Sequence, residues 1–137
     1  MTAVVTASCL IRDADVDEAS FTDLLVRQAG LDVEPDRVAP SVRVATRDGQ
    51  VVGFASVTLT GCDPRLDYVY VHHQARRAGV GRALVDDASR LDPAGRRLRI
   101  EAHPAAETFF TRLGACREGT VQPDPRTPFC RALFSVR

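Results

Sequence analysis

The sequence of 137 residues contains no lysine, and its 18 arginines are balanced by 18 acidic side chains. A formal net charge of zero gives no electrostatic reason to expect binding to nucleic acid or to an anionic membrane. The absence of lysine excludes modification of a lysine of the chain itself. Arginine grips phosphate with a planar fork, so the bias is compatible with a phosphate-rich ligand, although a genomic codon bias explains it more simply.

Long apolar runs are also missing, and none approaches the length of a membrane-spanning helix. Residues 1–7 lack the basic start and long apolar centre of a secretion signal, so we expect a cytoplasmic protein. Hydrophobic residues at 45% and charged residues at 26% are typical of a globular domain. The length suits one core, and we therefore expect a single domain over residues 1–137.

The four cysteines form no Cys-x-x-Cys pair, which indicates neither a zinc site nor a redox dithiol. We therefore expect no metal ion and reduced, mostly buried thiols. Cys116 and Cys130 could face each other on adjacent C-terminal strands, but a stable disulfide is not expected in the cytoplasm.

Alternating apolar and polar residues predict strands, most clearly a hairpin in which residues 42–47 and 50–59 flank Asp48-Gly49. Helices follow from apolar residues at helical spacing and from Gly114 as a stop signal. Further strands are predicted at residues 4–11, 66–71, 97–101 and 129–136, and helices at 16–29, 80–91 and 105–113. This order of elements predicts a mixed sheet flanked by helices.

Residues 76–81, Arg-Arg-Ala-Gly-Val-Gly, join a predicted strand to a predicted helix. The first turn of a helix has backbone N–H groups without partners and partial positive charge, which suits phosphate oxygens. Gly79 and Gly81 let a ligand approach the backbone, and Arg82 adds charge to that of the two loop arginines. A tight connection without any ligand would have the same pattern.

Two other phosphate-binding motifs do not fit this loop. A Walker loop would need Gly-Lys-Ser/Thr, but Gly81 is followed by Arg82. A dinucleotide fingerprint would need a third glycine near Leu84, and none is present. A nucleotide-binding protein is therefore the weakest alternative.

Residues 76–81 match in full the run Gln/Arg-x-x-Gly-x-Gly/Ala of the GNAT-type N-acetyltransferases, whose backbone amides hold the pyrophosphate of acetyl-coenzyme A. The preceding residues 69–73 resemble the family's Leu-Tyr-Val-x-Pro strand end, with His73 where proline is usual. Residues 103–115 are similar to Pro-Asn-Ala-x-x-Phe-Tyr-x-x-x-Gly-Phe/Ala. The two motifs occur in the family's order and cover roughly the second half of the chain. The first half agrees only through its order of strands and helices.

The resemblance implies an α/β (α+β) fold with a mixed, mostly antiparallel sheet of six to seven strands and about four helices. Strands four and five splay apart in that family, and the pantetheine arm lies in the gap by pairing with the free strand edge. Cofactor contacts are then implied along the fourth strand, the loop after it and the second motif. The residues are Val69, Tyr70, Val71, Arg76, Arg77, Ala78, Gly79, Val80, Gly81, Arg82, His103, Phe109 and Phe110.

The implied reaction is transfer of an acetyl group from acetyl-coenzyme A to a primary amine of a small molecule or peptide, by direct attack on the thioester. The amine must be neutral, which requires a base. Glu101 and His72 are the leading candidates, and His73 and His103 also lie near the expected splay. Histidine titrates near neutral pH, whereas a carboxylate needs burial or a water relay.

Each candidate has an ordinary structural alternative. Glu101 could pair with Arg99 or Arg131, and the histidines could be loop-surface residues. The thioester oxygen could be polarised by the backbone N–H of Val71 or of a neighbouring residue. Acidic residues between positions 31 and 40 could attract a cationic amine or form a solvated surface.

Two departures from the family pattern motivate a different function. The family's tyrosine, which is assigned as the acid that protonates the thiolate, falls on Phe110, and the asparagine falls on Ala105. Solvent could protonate the thiolate, because a thiol's reference pKa of about 8.5 makes it a tolerable leaving group. The alternative is a non-catalytic acyl-coenzyme A binding module or partner subunit. For either function we expect no nucleic-acid or membrane partner, and pairing of two copies through the C-terminal strands.

Overall fold

The computed structural model describes residues 9–18, 41–59, 63–76, 79–125 and 130–136. Seven strands form one sheet in the order β1-β2-β3-β4-β5-β7-β6. The strands are β1 Leu10–Asp13, β2 Ser41–Arg47, β3 Gln50–Thr58, β4 Arg65–Val71, β5 Leu98–Ala102, β6 Cys116–Val121 and β7 Arg131–Val136. The helices with both ends described are α1 Val80–Ala88 and α2 Glu107–Arg112, with 3-10 turns at His73–Ala75 and Pro104–Ala106.

Neighbouring strands run antiparallel throughout, except that β4 and β5 are parallel. This mixed, mostly antiparallel sheet of seven strands confirms the predicted fold class. Residues 16–18 are also helical. The rest of that predicted helix and the acidic loop after it lie outside the described residues, so the predicted number of helices stays a prediction.

The hairpin of β2 and β3 confirms the clearest local prediction. Asp48 and Gly49 have φ angles of 52° and 79°, and two successive positive φ values are what a two-residue hairpin turn of type I′ requires. The strands pair from Arg47↔Gln50 onward. Asp-Gly between two alternating segments was therefore sufficient to predict this element.

The helical residues 16–18 begin with a capping box. The backbone N–H of Glu18 donates to Asp15 Oδ1 at 2.8 Å, and the N–H of Asp15 donates to Glu18 Oε1 at 3.0 Å. Arg12 hydrogen-bonds the same carboxylate and, with the cap, lowers the pKa of Glu18 to about 2. Asp15 is thus the residue that caps the start of this helix.

The ends of other elements differ modestly from expectation. β1 continues to Asp13, two residues beyond its predicted end, while its predicted start lies outside the described residues. The last helix, predicted over residues 105–113, is shorter because Ala105 and Ala106 belong to a 3-10 turn. It ends before Gly114, whose φ of 86° confirms the predicted stop.

The sheet has two chemically different faces. Both α helices pack on one of them, which we call the helix face, through Val80, Leu84 and Phe110 against strand residues such as Ile100 and Phe134. The opposite face is aromatic, and we call it the tyrosine face. It contains Val44, Phe54, Tyr68 and Tyr70.

The expectation of mostly buried thiols is wrong for the described cysteines. Cys116 and Cys130 are exposed, Cys9 is partly buried, and all three are free. Cys116 pairs with Ser135, at the far end of β7 from Cys130. The two exposed thiols therefore lie at opposite ends of the β6–β7 hairpin and do not face each other.

Among the described residues, no group of His, Cys, Asp or Glu side chains could hold a metal ion. In the same part of the chain, no helix has the length and apolar character needed to cross a membrane.

Gly53 on β3 lies where β4 and α1 come closest to the backbone. A Cβ atom there would lie 2.7 Å from the carbonyl oxygen of Tyr70 and 3.2 Å from Leu84 Cδ1. We expect Gly53→Ala to lower the free energy of unfolding by about 2 kcal/mol, as overpacked cores do. Gly119→Ala is the matched control, because a Cβ on this second strand glycine would meet no atom within 4 Å. Equal denaturation midpoints for the two variants would contradict the prediction.

Candidate functional site

β4 and β5 pair through only two residue pairs, Arg65↔Arg99 and Leu66↔Ile100. Beyond them the two strands separate, as predicted. The separation begins at Asp67, which is an extra residue in β4: Val57 pairs with Leu66, and the preceding Ser56 pairs with Tyr68. A bulge bends a strand and increases its twist. The bulge therefore accounts for β4 leaving its neighbour at this point.

The side chain of Asp67 holds the bulge in place. Thr58 Oγ1 donates to one carboxylate oxygen at 2.6 Å, and Arg65 Nε donates to the other at 3.1 Å. The Asp67 side chain is only 7% exposed. Buried charge-assisted hydrogen bonds are among the stronger ones in proteins, so the bulge is a defined structural feature.

Past the bulge, β4 has a free backbone edge toward the gap. The N–H of His72 donates to the carbonyl of Val52 on β3 at 2.8 Å. Since hydrogen-bonded and non-bonded pairs alternate in an antiparallel ladder, Tyr70 pairs its backbone with β3, while Val69 and Val71 direct N–H and C=O into the gap. An extended ligand can pair with those two residues. The backbone of Tyr70 is already paired with β3, so only its side chain is available to a ligand in the gap.

The gap opens into a cleft of about 740 Å³. Its walls come from β4, from the first turn of α1, and from the 3-10 turn and helix that follow β5. The residues are Tyr68, Val69, Tyr70, Val71, Arg76, Gly81, His103, Ala105, Ala106, Phe109 and Phe110. Eight of them are predicted cofactor contacts, whereas Tyr68, Ala105 and Ala106 are not.

The start of α1 has the features of an anion site. Gly79 is the N-cap residue of α1 and has the left-handed backbone conformation, with φ of 81°. As a glycine it has no side chain that could cap the helix. The first turn also contains no acidic residue. The N–H groups of the first turn thus have neither a capping side chain nor a carboxylate beside them, so a phosphate would satisfy them. Arg77 and Ala78 of the predicted loop lie outside the described residues.

The ring of Phe109 on α2 lies directly against Gly81. A Cβ built on Gly81 would be 2.9 Å from Phe109 Cζ and 3.6 Å from Val71 Cγ2. Phe109 is nevertheless 36% exposed, and its ring meets Phe110 edge-on with centroids 5.0 Å apart. The residue at position 81 therefore has to be glycine for α2 to pack this closely on α1.

Two of the arginines near this loop are tied to backbone carbonyls. Arg76 Nε donates to the carbonyl of Val71 at 3.1 Å, which joins the loop to the end of β4. Arg82 Nη2 donates to the carbonyl of Arg112 at 3.1 Å, at the C-terminal end of α2. Both arginines thus fix elements that border the cleft, in addition to adding positive charge.

The ends of the two separated strands are built alike. His72 Nδ1 accepts from the N–H of Gln74 at 3.3 Å, and His103 Nδ1 accepts from the N–H of Ala105 at 3.0 Å. Each histidine caps the 3-10 turn that follows its strand. A neutral histidine whose Nδ1 accepts a hydrogen bond has its proton on Nε2. Both rings therefore present a donor at Nε2, and His103 does so at the cleft wall.

Glu101 lies on β5, but not among the residues that line the cleft. Leu98, Ile100 and Ala102 belong to the helix face, so by alternation Glu101 is on the tyrosine face. Arg131 Nη1 is 3.5 Å from Glu101 Oε2. The pairing with Arg131 that the sequence left open is present, at a long distance.

Tyr68 and Tyr70 follow the bulge on the tyrosine face. Both rings stack on Phe54, with centroids 5.6 Å apart in each case. Burial, and then the neighbouring Tyr70, raise the pKa of Tyr68 above its ordinary value. Tyr68 was not among the predicted contacts, whereas Tyr70 was, and simple alternation from Leu66 would place both on the face of Leu66. A bulge in β4 was the missing information.

His103 allows a test of the capped turn after β5. Losing an N-cap costs about 1 kcal/mol of stability, so we expect His103→Ala to lower the free energy of unfolding by that amount. His103→Asn is the matched control, because an asparagine oxygen accepts the same N–H. Chemical denaturation of the three proteins measures the difference. Equal losses for both variants would show that the cap is not what stabilises this turn.

The sequence matches the family model described as "Acetyltransferase (GNAT) domain" over residues 39–114. That segment contains β2 to β5, both helices and the cleft. No curated protein sequence is similar enough to count as a match.

Solved structures share the whole fold at low sequence identity. The GCN5-related N-acetyltransferase of Rhodopseudomonas palustris is 22% identical with a TM-score of 0.68, covering 98% of each chain. The ribosomal-protein-S18-alanine N-acetyltransferase of Escherichia coli is 15% identical with a TM-score of 0.65, covering 93% of this chain and 92% of that one. Arabidopsis thaliana NAA60, in complex with acetyl-CoA, is 13% identical with a TM-score of 0.69, covering 93% and 97%.

Proposed function

Because the chain belongs to the GNAT acetyltransferase family, we propose that it is an acetyl-coenzyme A dependent N-acetyltransferase whose acceptor is a primary amine of a small molecule or peptide. The observation that supports this most directly is the cleft between β4 and β5. It joins a free strand edge to an uncapped helix N-terminus, so one elongated ligand can use both.

The chain's own groups suit the two ends of such a ligand. The N–H groups at the start of α1 bind the diphosphate, and Gly81 keeps this turn free of a side chain. Val69 pairs with the extended arm through its N–H and C=O. The N–H of Val71 also points into the gap and is our candidate for polarising the thioester carbonyl, whereas the Val71 carbonyl already accepts from Arg76. When bound, acetyl-coenzyme A supplies an activated acetyl group.

In the proposed reaction the amine nitrogen forms the new C–N bond while the C–S bond breaks. A base accepts the proton that the amine loses, and the thiolate leaves. Glu101 is the better placed of the two predicted bases, because it lies on the tyrosine face and one of its oxygens has no partner among the described residues. His72 would first have to release its cap to Gln74 before Nδ1 could accept a proton.

No hydroxyl is available at the position of the family's tyrosine. Phe110 is buried, at 4% exposure, and packs against Phe134 with ring centroids 6.0 Å apart. In our proposal solvent protonates the thiolate, which is a tolerable leaving group by its reference pKa of about 8.5. The base step does not depend on Phe110.

Isothermal titration with acetyl-coenzyme A, followed by measurement of free thiol release across a panel of amines, tests the proposal. Binding and amine-dependent thiol release are expected. Absence of binding at millimolar ligand would refute it. Tight binding without release for any amine would instead support the non-catalytic acyl-coenzyme A module.

A further inference from the structure

Three aromatic rings form a continuous row on the tyrosine face beside the cleft. Phe54 is the middle ring and is buried, while Tyr68 and Tyr70 on either side are half-buried and line the cleft. Neither tyrosine hydroxyl has a hydrogen-bond partner among the described residues. A ligand can therefore pack on the rings of Tyr68 and Tyr70, which the buried ring of Phe54 holds in place.

The opposite side of the gap contributes negative charge to the same face. Arg131 lies between Glu101 at 3.5 Å and Asp124 at 3.3 Å. The Glu101 side chain is 28% exposed. Its Oε1 has no partner among the described residues and can accept a hydrogen bond from a ligand.

We propose that Tyr68 and Tyr70 form the acceptor subsite, and that the acceptor is a primary amine attached to a flat, ring-shaped apolar body. This inference rests on the proposed function. The ring packs on the two tyrosines, and the amine lies in the gap toward Glu101. Tyr68 and Tyr70 are then the residues that determine acceptor specificity.

The chemistry of the face favours this occupant over the other amines that could reach the cleft. Aromatic rings attract other rings and, through their negative faces, ammonium groups. A short alkylamine would leave both ring surfaces without contact. A polycation would leave most of its charge unpaired, since Glu101 provides a single carboxylate that Arg131 already contacts.

Other charges on this side do not reverse the preference. Arg65 is neutralised by Asp67 at 3.1 Å. Arg99 lies two residues before Glu101 on the same face, about 7 Å along the strand, and is exposed. An acceptor that also bears a carboxylate could use Arg99, so the experiment includes one.

The test measures kcat/KM by thiol release for four amines: 2-phenylethylamine, ethylamine, spermidine and phenylalanine. We expect 2-phenylethylamine to exceed ethylamine and spermidine by about tenfold, the size of one ring–ring contact that the ringless amines cannot make. If phenylalanine is the best acceptor, the acceptor carries a carboxylate, and the proposed class of amines without one is wrong. Equal values for the ring and ringless amines would overturn the subsite.

Variants of Tyr68 and Tyr70 test whether these two rings cause the preference for 2-phenylethylamine over the ringless amines. Tyr68→Leu and Tyr70→Leu keep an apolar side chain but remove the ring, so the preference for 2-phenylethylamine should fall by about five- to tenfold. Tyr68→Phe and Tyr70→Phe are matched controls that keep the ring and should retain the ratio. Equal ratios for leucine and phenylalanine variants would overturn the role of the rings.

Titration with acetyl-coenzyme A separates this inference from the proposed function. If the unmutated protein binds the cofactor normally but shows no preference for ring amines, only the proposed subsite is wrong. If the unmutated protein does not bind the cofactor, both the subsite and the proposed function are wrong. If a leucine variant does not fold, the amine panel on the unmutated protein still decides the acceptor class.

Discussion

Replacing Gly81 with aspartate is expected to abolish measurable binding of acetyl-coenzyme A. Two effects add in the same direction. The new carboxylate would compete with the diphosphate for the N–H groups at the start of α1. Its Cβ would also lie 2.9 Å from Phe109 Cζ and push this ring into the cleft. We expect the dissociation constant to rise at least about 100-fold, or roughly 2.7 kcal/mol.

Two controls separate charge from shape and from unfolding. Gly81→Ala keeps the steric effect and omits the charge, so it should weaken binding less than the aspartate. Gly119→Asp adds the same charge where a Cβ would meet no atom within 4 Å, and should leave binding unchanged. An acidic residue in the first turn stabilises a helix by about 0.3–1 kcal/mol, so α1 itself is not weakened by the charge. Unchanged affinity in Gly81→Asp would show that this turn has another role.

Replacing Asp67 with alanine is expected to have the second largest effect, because it removes the anchor of the bulge. Thr58 Oγ1 and Arg65 Nε would both lose their acceptor, and the Thr58 side chain is buried. Hydrogen bonds to a charged group contribute about 1.5–3 kcal/mol, and Arg65 is partly exposed, so we expect a loss of about 2–3 kcal/mol. Chemical denaturation measures this loss.

The same substitution should reduce the affinity for acetyl-coenzyme A, since the bulge sets where β4 leaves β5. We expect at least a tenfold weaker dissociation constant, measured by titration well below the melting temperature. Asp67→Asn keeps one acceptor oxygen, so it should lose less stability and less affinity for acetyl-coenzyme A than Asp67→Ala. A destabilised Asp67→Ala that binds with full affinity would show that the cleft does not depend on the bulge.

The sequence predicted the elements whose signals are local. Asp48-Gly49 determines its hairpin through two positive φ angles, and Gly114 ends its helix in the same way. The loop from Arg76 to Gly81 was recognised because glycines between a strand and a helix are a compact pattern. Residues 103–115 gave the second motif, and the two together were sufficient to predict the sheet and its splay.

The two faces of β4 could not be read from its sequence. Strict alternation from Leu66 would place Tyr68 and Tyr70 with Leu66 in the core. The extra residue at Asp67 shifts the alternation by one, so Val69 and Val71 join Leu66 on the helix face and both tyrosines turn to the other. The sequence of β4 alone does not mark the bulge, because one of the two partners that hold Asp67, Thr58, is on β3.

The sequence by itself determined the family, the described strands other than β6, and the loop from Arg76 to Gly81 where we propose that a diphosphate binds, because each depends on residues close together in the chain. Tertiary structure decided three other things: the contact of Phe109 with Gly81, the pairing of Glu101 with Arg131, and the aromatic row beside the cleft. Each of these joins residues that are distant in sequence, through strand register and helix packing. Only the folded chain brings them together.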